Sequence, residues 1–168
     1  MDITPQKMRY LYVLLFLTVM MTLPWLGLTD FHTKGEPREA IVAQTMLAQD
    51  NWVMPHNNGG EIAYKPPFMH WCVAACGALV GEVNEYVARF PSALAAIVLA
   101  FGVYFFYARR RDGRTALMTA FVSFSSFEMF RAAYACRVDM VLTLCIVGAM
   151  LLLERWQEHG RRFGLPWM

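Results

Sequence analysis

Residues 10–28 form an apolar run with no charged side chain, broken only by Thr18, Thr22, Pro24 and Gly27. At a helical rise of about 1.5 Å per residue, that length reaches across a hydrocarbon core of about 30 Å. Lipid offers no hydrogen bonds to a backbone, so a run of this kind must be helical. Similar runs recur at 90–107, 115–135 and 138–153. The chain is 57% hydrophobic and 17% charged, and its apolar residues come in blocks instead of at the periods of a soluble core. The expected class is an all-α membrane protein with four transmembrane helices. No small-x-small cleavage site follows the first run, where Leu26-Gly27-Leu28-Thr29-Asp30 stands, so that run is a retained signal-anchor.

Charge placement sets the topology. Lys7 and Arg9 precede the first run, Arg109, Arg110, Arg111 and Arg114 crowd one hairpin, and Arg155, Arg161 and Arg162 follow the last run. All three clusters fall on the cytoplasmic side only if the shorter apolar segment 68–80 does not cross. At about 20 Å it is also too short to cross. Residues 29–89 are then one extracytoplasmic loop of about sixty residues, a length that usually signals function. Two short juxtamembrane helices are expected in it. Pro37 suits a first helical turn and Glu36 the positive end of the dipole. Val42, Ala43, Met46 and Leu47 follow at helical spacing, up to Asp50-Asn51. Pro66-Pro67 opens the second helix and Gly81 closes it, with a turn-forming stretch from Met54 to Gly60 between them.

Some functions are excluded early. No basic cluster is interleaved with aromatics, so nucleic acid is not an expected partner. Cys72, Cys76, Cys136 and Cys145 lie in apolar stretches, and the one-turn spacing of the first two suits neither a disulfide nor a common zinc site. Polar groups are dense in the loop instead: Asp30, His32, Lys34, Glu36, Arg38, Glu39, His56, Glu61 and Lys65. A solvated surface is the plain alternative. Against it, the charges flank backbone-fixing residues, as in Lys34-Gly35-Glu36-Pro37-Arg38-Glu39. Glu128, Arg131, Arg137 and Asp139 also emerge on the same membrane face. Such a face suits a lipid-linked anionic substrate, with a cation on the phosphate and a carboxylate taking a proton from an attacking hydroxyl.

The ordered segments Gly35-Glu36-Pro37-Arg38-Glu39-Ala40, Asn51-Trp52-Val53-Met54-Pro55-His56, Tyr64-Lys65-Pro66-Pro67-Phe68-Met69-His70-Trp71 and Asn84-Glu85-Tyr86-Val87-Ala88-Arg89-Phe90-Pro91-Ser92-Ala93-Leu94 are more specific than any single residue. Together they resemble the N-terminal part of bacterial polyprenyl-phosphate-sugar glycosyltransferases, of the aminoarabinose transferase and protein-mannosyltransferase-like kind with the GT-C fold. The resemblance implies a direct, inverting transfer at the extracytoplasmic face of the inner (plasma) membrane. A sugar would move from a polyprenyl-phosphate donor to a lipid A-like, glycan or protein hydroxyl, among membrane lipids.

It also implies site residues. The family's Asp-Glu pair falls on Gly35-Glu36, so Glu36 is the expected catalytic carboxylate and Asp30 its fallback. Lys65 resembles the ligand of the lipid phosphate. Arg38, Arg137 and Asp139 are expected to bind substrate, and Arg89 to orient the start of its span. No cofactor is implied. A divalent metal is left open, although Tyr64 stands where the aminoarabinose branch often has an acid, and the spacing of His32 and His56 matches no ligand pattern. Family members carry many more spans, so this chain is expected to be an N-terminal part of such an enzyme and inactive alone. Sugar transfer by the purified 168-residue protein would contradict that expectation. Two other readings remain: a non-catalytic membrane subunit that binds a lipid phosphate, and half of a transporter, which would need polar residues nearer mid-membrane.

Overall fold

A computed structural model of the chain describes residues 4–57, 60–63 and 65–162, and side chains as far as Glu158. Tyr64, the Asn58-Gly59 part of the expected turn, and the Arg161 and Arg162 side chains lie outside the described residues. Among the described residues the regular structure is helical, apart from one isolated antiparallel bridge between His56 and Ile62. The helices are α1 (Pro5–Thr22, extended by a 3-10 turn, Leu23–Trp25), α2 (Gly35–Gln49), α3 (Phe68–Val80), α4 (Glu85–Ala108), α5 (Gly113–Ser125), α6 (Phe127–Ala133) and α7 (Val138–Arg162).

Local chemistry explains most of the boundaries. Pro5 starts α1 where its missing N–H costs nothing. Inside α1 the hydroxyls of Thr18 and Thr22 donate to the carbonyls of Leu14 and Thr18, at 2.9 and 2.7 Å, so neither is stranded in an apolar setting. Asn84 caps α4 by accepting from Val87 N at 3.0 Å, and Asp112 caps α5 by accepting from Thr115 N at 3.0 Å. Gly81 ends α3 at φ 97°, a conformation glycine adopts without strain. The two loop helices expected at Pro37 and Pro66-Pro67 are α2 and α3.

By length and composition, α1 with its 3-10 turn and α4 can each cross a membrane, and α6 with α7 makes a third candidate bent by 119°. The third span expected at 115–135 is not one helix. It breaks at Ser126, whose ψ of 142° is extended. Thr119 and Ser123 donate back to the carbonyls of Thr115 and Thr119 at 2.9 and 2.8 Å, and Ser126 Oγ to Ser123 O at 2.9 Å. Hydroxyls that compete for helix carbonyls bend and end helices, a signal the apolar run concealed. The last helix runs past the expected residue 153 to Arg162.

Two clusters hold the helices together. At the arginine end, Leu14 of α1 packs with Tyr104 and Ala108 of α4 and with Ala116, Leu117 and Ala120 of α5. The Lys7 ammonium donates to the Ala108 carbonyl, placing a cation on the negative end of α4. Towards the loop, Ala40 and Ala43 of α2, Met69, Val73 and Ala74 of α3, and Ala88, Ala95 and Ala96 of α4 form a second cluster that also takes in Met140 of α7. Small residues let these backbones approach closely. Gly77 shows how tightly α3 packs against the turn that follows it and against α2: an added Cβ would lie 2.7 Å from Val83 Cγ2 and 3.1 Å from Leu47 Cδ1. Gly77→Val is therefore expected to destabilise the protein by about 1–3 kcal/mol through overpacking. A fall in the unfolding midpoint in detergent, without loss of helical content at low temperature, checks this.

Candidate active site at the loop end

Glu36 lies in the first turn of α2 and is 1% exposed. Its Oε2 accepts from the backbone N–H of His32 and Thr33, at 2.9 and 3.3 Å, in the manner of a residue capping its own helix. Its Oε1 accepts from Arg89 Nε at 3.2 Å and from Cys136 N at 3.1 Å. Arg89, on the first turns of α4, is also 1% exposed. Its Nη1 donates to the carbonyls of Leu26 and Thr29 at 2.7 and 2.8 Å, its Nη2 to that of Asp30 at 2.8 Å, and Phe31 lies 5.4 Å under the guanidinium. One buried ion pair thus ties the end of α1, the start of α2, α4 and the turn before α7. The role expected of Arg89, orienting its own span, is the smaller part of what it does.

One turn further along α2, and on the same face, Glu39 is 3% exposed. Its Oε1 meets Lys65 Nζ at 2.7 Å, with Arg38 Nη2 at 3.8 Å, and its Oε2 meets His70 Nε2 at 2.7 Å. His70 is buried, and its Nδ1 has no partner among the described residues. Arg38, Glu39, Asn57, Ile62, Lys65 and His70 line one small pocket. Two cations thus face one carboxylate, leaving a positive excess open to water.

The remaining expected residues are less buried. The Asp30 side chain is exposed and makes no hydrogen bond or ion pair among the described residues, although its carbonyl is held by Arg89. Arg137 Nε lies 2.9 Å from Asp139 Oδ2, off the N–H direction, in an ion pair about half exposed. Ser92 of α4 donates to the Arg137 carbonyl at 3.3 Å. Arg137 follows Cys136, whose N–H reaches Glu36, so the start of α7 and the loop helices do meet, through backbone. Glu128 and Arg131 form an exposed pair at 2.7 Å, worth little to stability. Among the described residues no three of His, Cys, Asp and Glu gather as a metal site.

Sequence reasoning passed over Glu39 and His70 as site residues. The available signal was the i, i+3 spacing of Glu36 and Glu39 on a helix, and a histidine inside an otherwise apolar one.

An all-helical chain with an ionic site at one end of apolar helices has the architecture of a GT-C membrane glycosyltransferase. The family model described as dolichyl-phosphate-mannose-protein mannosyltransferase matches residues 64–167, and the chain belongs to that family. Among curated relatives, the undecaprenyl phosphate-alpha-4-amino-4-deoxy-L-arabinose arabinosyl transferase of Shewanella sediminis is 31% identical over 135 residues, covering 80% of this chain and 24% of the relative. The Pseudomonas aeruginosa protein of the same name is 36% identical over 131 residues, covering 76% and 23%. The crystal structure of ArnT from Cupriavidus metallidurans bound to undecaprenyl phosphate superposes with a TM-score of 0.72 at 27% identity, over 84% of this chain and 27% of that one. The apo form of that protein gives 0.73 at 26% identity, over 86% and 27%. The chain therefore spans about a quarter of the length of the relatives it matches.

The buried pairs predict a pH dependence. Burial pushes the Glu36 carboxyl up, but the hydrogen bonds from Cys136, His32 and Arg89 outweigh it and hold the group below the usual 4.5. Burial of Glu39 is likewise outweighed by His70 and Lys65. A carboxyl with a depressed folded pKa stabilises fully above its unfolded value and loses that contribution as pH falls through the folded one. The unfolding midpoint is thus expected to hold from pH 7 to about 5 and to fall below about 4.5. Arg89→Met, which strands the Glu36 charge, is expected to cost about 3–5 kcal/mol, and adding Glu36→Gln to recover part of the loss. Thermal unfolding of the two variants in detergent checks this.

Proposed function

We propose that this chain forms the donor-phosphate side of a transferase that moves a sugar from polyprenyl phosphate to a hydroxyl on the extracytoplasmic face of a bacterial inner membrane, with inversion. The observation that carries the reading is the convergence of Lys65 and Arg38 on Glu39 Oε1 in one pocket. It occurs in a fold similar to that of a protein crystallised with undecaprenyl phosphate. The Lys65 ammonium, fixed by Glu39, keeps hydrogens free for a phosphate oxygen, and Arg38 adds a second donor.

In the step, the acceptor oxygen forms a bond to the anomeric carbon while the bond from that carbon to the phosphate oxygen breaks. The electron pair leaves with polyprenyl phosphate, where Lys65 and Arg38 meet the developing charge. The hydroxyl proton needs a base. Glu36 has both oxygens filled by four donors and is sealed from water, so its part is to position the loop. Asp30, exposed and unpaired, is the carboxylate able to take the proton. Arg137 and Asp139 at the start of α7 orient the sugar or the acceptor. The sugar is of the kind the relatives are named for, an aminopentose on undecaprenyl phosphate, and the acceptor a lipid A-like, glycan or protein hydroxyl.

Binding and transfer test separate parts of this reading. The purified chain in nanodiscs should bind undecaprenyl phosphate, and Lys65→Ala should weaken binding at least tenfold, in line with the loss of about 1.5–3 kcal/mol from a charged hydrogen bond. In membranes where the protein supports sugar transfer, Asp30→Asn should abolish transfer with little change in unfolding temperature. Glu36→Gln should lower activity and stability together. Full transfer by Asp30→Asn would move the base elsewhere.

A further inference from the structure

A histidine in the first turn of α3 is costly where it stands. His70 is 1% exposed, and its neighbours Met69, Val73 and Ala74 on α3 pack with Ala40 and Ala43 of α2 in the apolar cluster. Its Nε2 lies 2.7 Å from Glu39 Oε2, and its Nδ1 has no partner among the described residues. An apolar side chain of similar size would pack between the helices without leaving a buried nitrogen unmet. A buried ionic contact also adds little net stability over apolar packing. The apolar residues and the close approach at Gly77 already hold α3 against α2, so that task does not account for the histidine.

What the ring engages is a carboxylate. Burial pushes the Glu39 carboxyl up, and the bonds from His70 and Lys65 outweigh it, so the group is ionised. An ionised carboxylate only accepts hydrogen bonds, so the ring carries a hydrogen on Nε2 and donates it to Oε2. The last torsion of a glutamate has a broad range, and a carboxylate held at one oxygen alone can turn about it. With Oε2 taken by His70, Oε1 is fixed 2.7 Å from Lys65 Nζ and 3.8 Å from Arg38 Nη2. The second distance is beyond hydrogen-bond length, and the Arg38 side chain is half exposed. An arginine beside a carboxylate with both oxygens open closes onto it as a bidentate pair. His70 denies Arg38 the second oxygen.

We propose that His70 is a positioning residue for the phosphate-binding cations. By occupying Oε2 it aims Oε1 at Lys65 and keeps Arg38 from closing onto Glu39, so both cations stay available to a polyprenyl phosphate. This role rests on Lys65 being the phosphate anchor. The ring acts through Glu39, without touching the phosphate itself. In its absence Glu39 would draw both cations onto its two oxygens, and the positive charge facing a ligand would fall.

The probe is undecaprenyl phosphate, titrated into the 168-residue chain in nanodiscs. In the unaltered chain with isotope-labelled histidine, the sealed ring N–H should be the slowest of the histidine N–H groups to exchange with water. Its resonance should shift in step with binding, and no shift at saturation would overturn the proposal. His70→Met, which leaves Oε2 open, should weaken binding on the order of tenfold, the size of one lost hydrogen bond to a charged group. His70→Gln, whose amide N–H can serve Oε2, should retain most of the affinity. His70→Met added to Lys65→Ala should cost less than it does alone, because one of the two cations it acts through is gone. A general loosening of α3 from α2 would instead weaken the Gln and Met variants alike and add in full to Lys65→Ala, and either result would overturn the proposal. If Lys65→Ala leaves binding unchanged, the phosphate anchor and the role of His70 fall together. If Lys65→Ala weakens binding and His70→Met does not, the anchor stands and His70 alone loses its role. The resonance measurement needs no variant, so it decides the matter even where His70→Met fails to fold.

Discussion

The contact between Arg89 and Glu36 concentrates the main difficulty of this architecture at one point. An ionised pair removed from water costs several kcal/mol per ion unless every lone pair and hydrogen finds a partner. Here the carboxylate accepts from four donors, and the guanidinium reaches three backbone carbonyls besides the carboxylate. Those partners come from the end of α1, the loop that follows it, and the turn before α7. None of these segments is regular where it is touched. Their unpaired backbone groups need donors and acceptors as much as the ions do, so the pair and the irregular backbone satisfy each other.

The division of labour at the loop end follows from this. Two glutamates one helical turn apart on α2 face different surroundings. Glu36 is enclosed and spends its acceptor capacity on holding segments together. Glu39 is equally buried, but its partners include Lys65 at the edge of a pocket open to solvent, with Arg38 close by. A residue of the first kind sets where the loop lies, and one of the second kind sets where a cation points. The chain thus carries a cationic region at each end, Lys65 and Arg38 beside Glu39 at one and the arginine hairpin at the other.

Much of the fold could be read without coordinates. The apolar run of α1, the proline starts of the loop helices and the shortness of residues 68–80 are local properties of the chain, and each gave the right element. The break at Ser126 was missed because the hydropathy of residues 115–135 averages over it. The hydroxyl ladder through Thr115, Thr119 and Ser123 acts through individual hydrogen bonds, which no window of composition detects. Glu39 and His70 were passed over for a related reason. One looked like one more charge in a polar loop, the other like one polar residue in an apolar helix, and only their contact across 31 positions gives either a role.

By itself the sequence determined that the chain enters a membrane, where its charges gather and which family it resembles, because hydropathy, charge order and motif spacing are all linear properties. The tertiary structure alone decided which of those charges are spent on holding the molecule together and which remain exposed to a ligand. That distinction depends on burial and on the number of hydrogen-bond partners, and both are set by segments far apart in the chain. Glu36 and Asp30 are both acidic residues of one loop, the first expected from the resemblance as the base and the second as its fallback. Once folded, the first is enclosed by four donors and the second has its side chain in water.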